Sequence, residues 1–416
     1  MMITVCTENG KHDFASRQAD CFRTEVHMKE LRGREKADVA IAGAGLSGLS
    51  IALLLSRAGL RVALLEARTA GRGISAWCMG AAYAADEAGV KDKRVVHTSA
   101  RALQTVKELA EPFGLWKQTP LLKLDKNART IQSHAACGVL RPDAYLRLLR
   151  QKAEENGAVV YEHSRVIDME ANEFHTEQGT LHAPYLVVAT GYPILNIPGW
   201  YFLHLYQCEY DMVCLRGTEI AGVIVDEEEK ALLMPQRGGA LMCCRTAAVG
   251  DRHNAKRAEQ TLGQVQKKTG LYKEGQWMIG QEVHTPDHLP IIGAYGKKTP
   301  GLLVAAGYGG RGIVGSMTAA HGIASSILGL PGEGYDAYSP RRFDREWHTP
   351  VQTAYRYGRS LLFHPQAPRC PHMRCRLIHN PRTGLWECPC HGSCFDDIGH
   401  VVNPPAVHEA ILRSRK

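Results

Sequence analysis

Asp38-Val-Ala-Ile-Ala42 runs directly into Gly43-Ala-Gly45-Leu46-Ser47-Gly48. The first segment reads as a short buried strand, and the apolar spacing of Leu49 to Ala58 reads as a helix that ends at Gly59. A second strand, Arg61 to Leu65, leads into Glu66. Strand, glycine turn, helix, strand and acid in this order form a dinucleotide-binding unit. Gly43 permits the tight turn, Gly45 lets the backbone approach a pyrophosphate, and Gly48 lets helix and strand pack closely. The helix N-terminus stabilises the phosphate charge, and Glu66 accepts hydrogen bonds from the adenosine ribose. A glycine turn alone also fits unrelated α/β folds; the flanking strands and the acid favour the dinucleotide.

Later segments select the dinucleotide. Leu186-Val-Val-Ala-Thr190-Gly191 is a strand ending in Ala-Thr-Gly. Thr285-Pro-Asp287-His-Leu-Pro290-Ile-Ile-Gly293 precedes a strand at Gly301 to Ala306. Gly307-Tyr-Gly309-Gly310-Arg311-Gly312-Ile313 then opens a helix that runs to Leu328. Together these segments resemble the D-amino-acid oxidase, glycine oxidase and sarcosine oxidase family over residues 36–330. The resemblance implies an α/β FAD-binding domain of the glutathione-reductase-like Rossmann type. An antiparallel substrate domain is then expected over about 198–285, where Met212 to Leu215 and Ala231 to Met234 alternate in apolar character. It also implies that FAD meets Ala67, Arg68, Val166 and Asp287, and that Arg72 to Ala82, with Ser75, wraps the flavin. Leu140-Arg-Pro-Asp143 through Tyr145 fits the same pattern.

Gly307 to Gly312 could be read as a separate nicotinamide site, but no acid follows about twenty residues on. The resemblance places this turn against the isoalloxazine ring, where the helix dipole favours the anionic reduced flavin. Amino-acid-oxidising relatives often carry an arginine before Thr-Pro-Asp to bind the substrate carboxylate. Here the stretch is Gln281-Glu282-Val-His284, with Glu282 at that position. Glu282 suits an amine or other cationic donor, or acts as a base; it also fits an ion pair with a nearby arginine. Gln281, His284 and Arg311 complete the candidate catalytic set, with Arg311 the candidate anion binder. Adjacent Cys243 and Cys244 read as small buried residues rather than a redox pair.

The other decisive segment lies near the C-terminus. Cys370-Pro-His372 is followed by Cys388-Pro-Cys390-His391, with fifteen residues between the two boxes. Such clusters also bind zinc. The spacers of both boxes, Gly392-Ser393 and Asn403-Pro-Pro405-Ala resemble a small all-β Rieske [2Fe–2S] domain. The resemblance assigns Cys370 and Cys388 to one iron, and His372 and His391 to the outer, more reducible iron. It also implies a disulfide between Cys375 and Cys390, and a hydrogen bond from Ser393 to a bridging sulfide. High-potential Rieske proteins carry a tyrosine where Phe395 stands, so one hydrogen bond fewer should lower this potential within the span of about −150 to +300 mV. Residues 354–416 form a minimal domain, expected to borrow packing from its neighbour.

The chain has 416 residues, 44% apolar and 22% charged, enough for two or three cores. No long uncharged apolar run implies a membrane span. Residues 1–35 read as a leader or surface arm without the apolar core of a secretory signal, and 331–353 as a linker. The net charge of +8 is denser over Arg341 to Arg374, which reads as a solvated linker or as a docking patch for an acidic partner. Nothing resembles a nucleic-acid motif. Thirteen cysteines, eight of them scattered, fit a reducing cytoplasm. The expectation is an FAD-dependent dehydrogenase that oxidises a small organic donor, most plausibly amine-like. It would pass single electrons through the cluster to an acceptor protein or quinone. A flavo-iron-sulfur carrier without a substrate of its own is the alternative.

Overall fold

The structure is a computed structural model that describes residues 29–85, 90–124, 130–132, 137–194, 204–249, 251, 253–296, 299–332, 334–343, 348, 350–352, 354–355, 358 and 367–412. The first twenty-eight residues of the expected arm lie outside this set. Residues that the arm reading includes, Gly33–Lys36, form a strand paired parallel to Gly179–His182.

At the centre stands a six-stranded sheet in the spatial order Ile291–Gly296, Thr299–Ala306, Tyr185–Gly191, Val39–Ala42, Val62–Leu65, Val159–Tyr161. All neighbours are parallel except the Ile291–Gly296 edge. Val39, Ile41, Leu64 and Val187 are buried on one face and the alternating Ala40, Ala63, Leu65 and Val188 on the other, as a covered parallel sheet requires. The helices Leu46–Arg57 and Gly312–Leu328 cover one face and contribute to the largest core cluster. The second helix starts and stops where the sequence places it, after the glycine turn and before Gly329 in the left-handed conformation.

The substrate sheet has seven strands in the order Tyr272–His284, Tyr206–Arg216, Gly239–Ala248, Ala231–Gln236, Val223–Asp226, Leu121–Leu124, Thr130–Gln132. It is antiparallel apart from the pairing of Val223–Asp226 with Leu121–Leu124. Thus it draws two strands from well before residue 198. The helix Asn254–Thr269 buries Ala258, Leu262 and Val265 against it.

The C-terminal unit is a four-stranded antiparallel sheet of Ile378–Asn380, Leu385–Glu387, Cys394–Phe395 and Val401–Asn403, in sequential order. Its own core is small: Leu377, Phe395, Ala406 and Ala410 with four cysteines. It borrows packing as expected, by seating on the substrate sheet. Side chains alternate along a strand. Gln207, Glu209 and Asp211 therefore face one way, with Gln281 paired opposite Glu209. This face meets the C-terminal unit. Arg382 reaches it from the 380–385 hairpin and bonds Glu209 and Asp211, each at 2.6 Å. The alternate residues Tyr210, Met212 and Glu282 face the large cavity described below. The sheet thus lies between much of that cavity and the C-terminal unit, which reaches the cavity wall through Val402, Asn403 and Pro404.

The expected linker is not a solvated strap where it is described. Tyr338 is buried and its hydroxyl lies 2.7 Å from Thr98 Oγ1. Arg342 makes a bidentate pair with Asp287 at 2.6 and 3.1 Å, which occupies one charge of the basic stretch internally.

Candidate active site and cluster site

The glycine turn has the close approaches that its sequence requires. Gly43 has a φ of +101°, and a Cβ on Gly48 would lie 1.8 Å from the Gly43 carbonyl oxygen. Glu66 accepts from the amides of Ala44 and Arg68, both at 3.0 Å, so the acid is fixed at the sheet edge. Ser75, in the short turn Ile74–Trp77, accepts from the Leu46 amide at 3.1 Å. The two helix N-termini converge: Ser47 Oγ lies 3.0 Å from Ser316 Oγ and donates to Tyr308 Oη at 2.7 Å.

These groups line one cavity of about 840 Å3. It contains every expected FAD contact except two. Gly48 packs against Gly43 instead, and Ile313 belongs to the core behind the turn. The size and the paired helix N-termini fit an extended dinucleotide. Gln281, Glu282, His284 and Arg311 also line it.

Arg245 is a residue that the sequence did not single out. Its Nη1 lies 3.2 Å from His284 Nδ1, and His284 Nε2 lies 2.9 Å from Glu282 Oε1. A guanidinium only donates, so Nδ1 accepts and the Nε2 proton points to the carboxylate. His284 is buried and stacks on Tyr206, with ring centroids 5.7 Å apart. Burial pushes the Glu282 carboxyl up, but the hydrogen bond from His284 and the charge of Arg245 override it and hold it below the usual range. Glu282 is therefore an ionised carboxylate inside the cavity. A Cβ on Gly310 would lie 3.3 Å from Glu282 Oε2, so the second glycine turn and the acid are immediate neighbours. Arg311 donates to the His288 carbonyl. Tyr83, Tyr210 and Cys243 complete the wall beside Glu282. No spacing rule would have found Arg245, because it comes from another strand of the sheet, opposite Tyr210.

At its far end the same cavity is lined by Val402, Asn403 and Pro404 of the C-terminal unit. Gln281 is shared across this boundary. Its Nε2 donates to Cys394 Sγ at 2.9 Å, and its Oε1 accepts from Asn403 at 2.7 Å. Gln207 adds two more bridges, to Pro404 and Asn403.

The two Cys/His boxes form facing loops. Cys370 N donates to Cys375 O at 2.8 Å, and Gly392 N donates to Cys388 O at 2.8 Å. Cys370 and Cys388 are both fully buried. The His372 and His391 rings meet edge to face with centroids 5.1 Å apart. Burial pushes the His372 imidazole down to about 4, which keeps it neutral and able to ligate. Two thiols on one side and two imidazoles on the other fit a [2Fe–2S] cluster with two chemically distinct irons. Ser393 Oγ accepts from the Ala406 amide at 3.0 Å. The expected disulfide is not formed: Cys375 and Cys390 carry thiols. Their sulfurs form a trio with Cys388 within 4.8 Å, whereas a bridge needs about 2.05 Å. The loops are held instead by backbone bonds and packing.

Comparison with known proteins gives consistent findings. The family profile described as FAD dependent oxidoreductase matches residues 38–136 and 131–326, and that of the Rieske [2Fe-2S] domain matches 362–414. A putative Rieske 2Fe-2S iron-sulfur protein of Bacillus subtilis (strain 168), YhfW, is 19% identical, over 89% of this chain and 92% of that protein. L-proline dehydrogenase from P. horikoshii superposes with a TM-score of 0.63 at 18% identity, covering 76% of this chain and 99% of that one. Glycine oxidase from Geobacillus kaustophilus does so with 0.58 at 19%, covering 74% and 99%. Among the described residues, no helix is long and apolar enough to cross a membrane.

Proposed function

We propose, for a chain that belongs to the FAD dependent oxidoreductase family and carries a C-terminal Rieske [2Fe-2S] domain, that it is a dehydrogenase for a small amine. We propose further that it routes the electrons through the cluster. FAD, when bound, supplies a two-electron acceptor, and the cluster supplies a one-electron carrier. The single cavity that runs from Glu66 past Glu282 to Asn403 carries the reading. Its lining joins the glycine turn and Glu66, the ionised Glu282 and residues 402–404 of the C-terminal unit, which supports the reading.

The residues divide the work as follows. Gly43, Gly45 and the helix beginning at Leu46 cradle the pyrophosphate, and Glu66 holds the ribose. Gly309 to Gly312 face the flavin ring. Glu282, kept ionised by His284 and Arg245, attracts a cationic nitrogen and accepts its proton before hydride loss. Arg311 and Arg245 offer positive charge to an acidic group on the same donor. This favours an amine that also bears a carboxylate, and it accords with the amino-acid chemistry named for the similar solved proteins. Cys370, His372, Cys388 and His391 hold the cluster. The proposed unit boundaries are residues 36–330 for the flavoprotein and 354–416 for the Rieske domain.

The test has two arms. Candidate amines and amino acids are mixed with holoprotein, and flavin absorbance is followed without oxygen and hydrogen peroxide in air. Bleaching by a member of this class, with little peroxide per turnover in air, supports the reading. A flavin that no such donor bleaches favours a carrier without its own substrate. Full-rate stoichiometric peroxide would identify an oxidase.

A further inference from the structure

The cavity and the cluster loops touch at one aromatic side chain. Tyr192 follows the central strand Tyr185–Gly191, whose last residue has a φ of +81° and turns the chain out of the sheet. The ring lines the cavity. It is 1% exposed, and its hydroxyl donates to the Leu205 carbonyl at 3.3 Å. On the other side it meets the imidazole of His391 edge to face, with centroids 6.2 Å apart and planes at 67°. His391 is itself 1% exposed, while His372 is the more exposed of the two histidines and precedes Met373 and Arg374 at the surface.

We propose that Tyr192 is the electron bridge from the flavin cavity to the cluster, and that His391 is the entry ligand. The inference rests on the assignment of FAD to the cavity and on electron routing to the cluster, both proposed above. In each passage one electron leaves the two-electron-reduced flavin, and the outer iron goes from ferric to ferrous. The proton released on reoxidation of the flavin would leave by a route other than Tyr192, whose hydroxyl donates its hydrogen bond to a backbone carbonyl. An outside one-electron acceptor reoxidises the iron, and a second passage empties the flavin. The ring serves by filling the gap with bonded atoms. Through-bond and contact paths couple donor and acceptor better than a void does.

Two features set Tyr192 apart from its neighbours. Gln281 also spans the boundary, but its amide ends on Cys394, which is not a cluster ligand. Arg382 spans it at the sheet face away from the cavity, on Glu209 and Asp211. Among the described side chains that line the cavity, Tyr192 has the ring contact to a ligand imidazole.

The experiment uses holoprotein and no substrate. The flavin is photoreduced anaerobically with EDTA and visible light, and cluster reduction is followed by its visible bands and its EPR signal. Wild type and Tyr192→Phe are expected to transfer at similar rates, because both keep the ring. Tyr192→Leu and the longer, unbranched Tyr192→Met are expected to slow transfer on the order of ten-fold or more, with flavin content, cluster potential and EPR g-values unchanged. Transfer at the wild-type rate in a fully loaded Tyr192→Leu overturns the proposal. So does loss of the cluster from both aliphatic variants with flavin retained, which would make Tyr192 a support for the Rieske loop. Failure of the wild type itself to pass electrons from flavin to cluster would refute the routing, not the choice of residue.

Discussion

Replacing Arg382 by alanine tests how the Rieske domain is held. Among the described residues, Arg382 is the basic group bonded to Glu209 and Asp211, whose side chains are 2% and 0% exposed. Burial already raises Glu209 to about 8, with Asp211 and Glu387 adding to it and Arg382 opposing. Burial likewise raises Asp211 to about 6. Removing one partner of a buried pair costs about 3–5 kcal/mol, because the carboxylates are left without a counter-charge. A carboxyl whose pKa is raised by folding holds its proton more tightly in the folded, docked state. Its contribution is therefore fully present below the unfolded value near 4.5 for Glu209 and 3.8 for Asp211. It is lost as pH rises through about 6 for Asp211 and about 8 for Glu209. Docking of the wild type should weaken over that window. Arg382→Ala should weaken it further above pH 6 and much less at pH 5, where protonation neutralises both acids. Limited proteolysis of the holoprotein and thermal unfolding followed by cluster absorbance measure this. An Arg382→Ala protein as stable as wild type at pH 8, or one destabilised equally at pH 5 and pH 8, would refute the reasoning.

Three further outcomes follow from the geometry. Gly48→Ala should abolish flavin retention, since its Cβ would sit 1.8 Å from the Gly43 oxygen; the flavin-to-protein ratio after purification checks this. Glu282→Gln should lower the rate of flavin bleaching by the donor by about 10²–10⁴-fold, while flavin and cluster content stay normal. Ser393→Ala should lower the cluster's reduction potential through loss of a hydroxyl near its sulfurs, read by redox titration of the EPR signal, and wild-type potential would remove that role.

Much of the fold is legible in the sequence because it depends on local rules. The turn at Gly43 to Gly48 needs positive φ and close backbone approach, and only glycine supplies both, so the residues announce the geometry. The helix Gly312–Leu328 is bounded by glycines for the same reason. The Rieske boxes are short, and their ligand types are set by the metal. What sequence conceals is what depends on distant strands. Gln207, Glu209 and Asp211 alternate with Tyr206, Cys208, Tyr210 and Met212 like the wet face of a half-buried strand. They are buried because the Rieske hairpin covers them. Gln281 and Glu282 look like one acidic motif, yet adjacent strand positions face opposite sides. Gln281 reaches Cys394 and Asn403, while Glu282 meets His284. Arg245 enters the site from a strand, and Tyr192 from just beyond one, whose pairing no local pattern reveals. The expected Cys375–Cys390 bridge is absent where the resemblance implied it.

The most direct test of the central claim is a single anaerobic turnover. Holoprotein is mixed with a donor that bleaches the flavin, frozen at intervals, and examined for flavin absorbance and the Rieske EPR signal in the same samples. The account predicts that the Rieske signal grows as the reduced flavin decays. A flavin that stays reduced beside a cluster that dithionite reduces but the donor does not would contradict it.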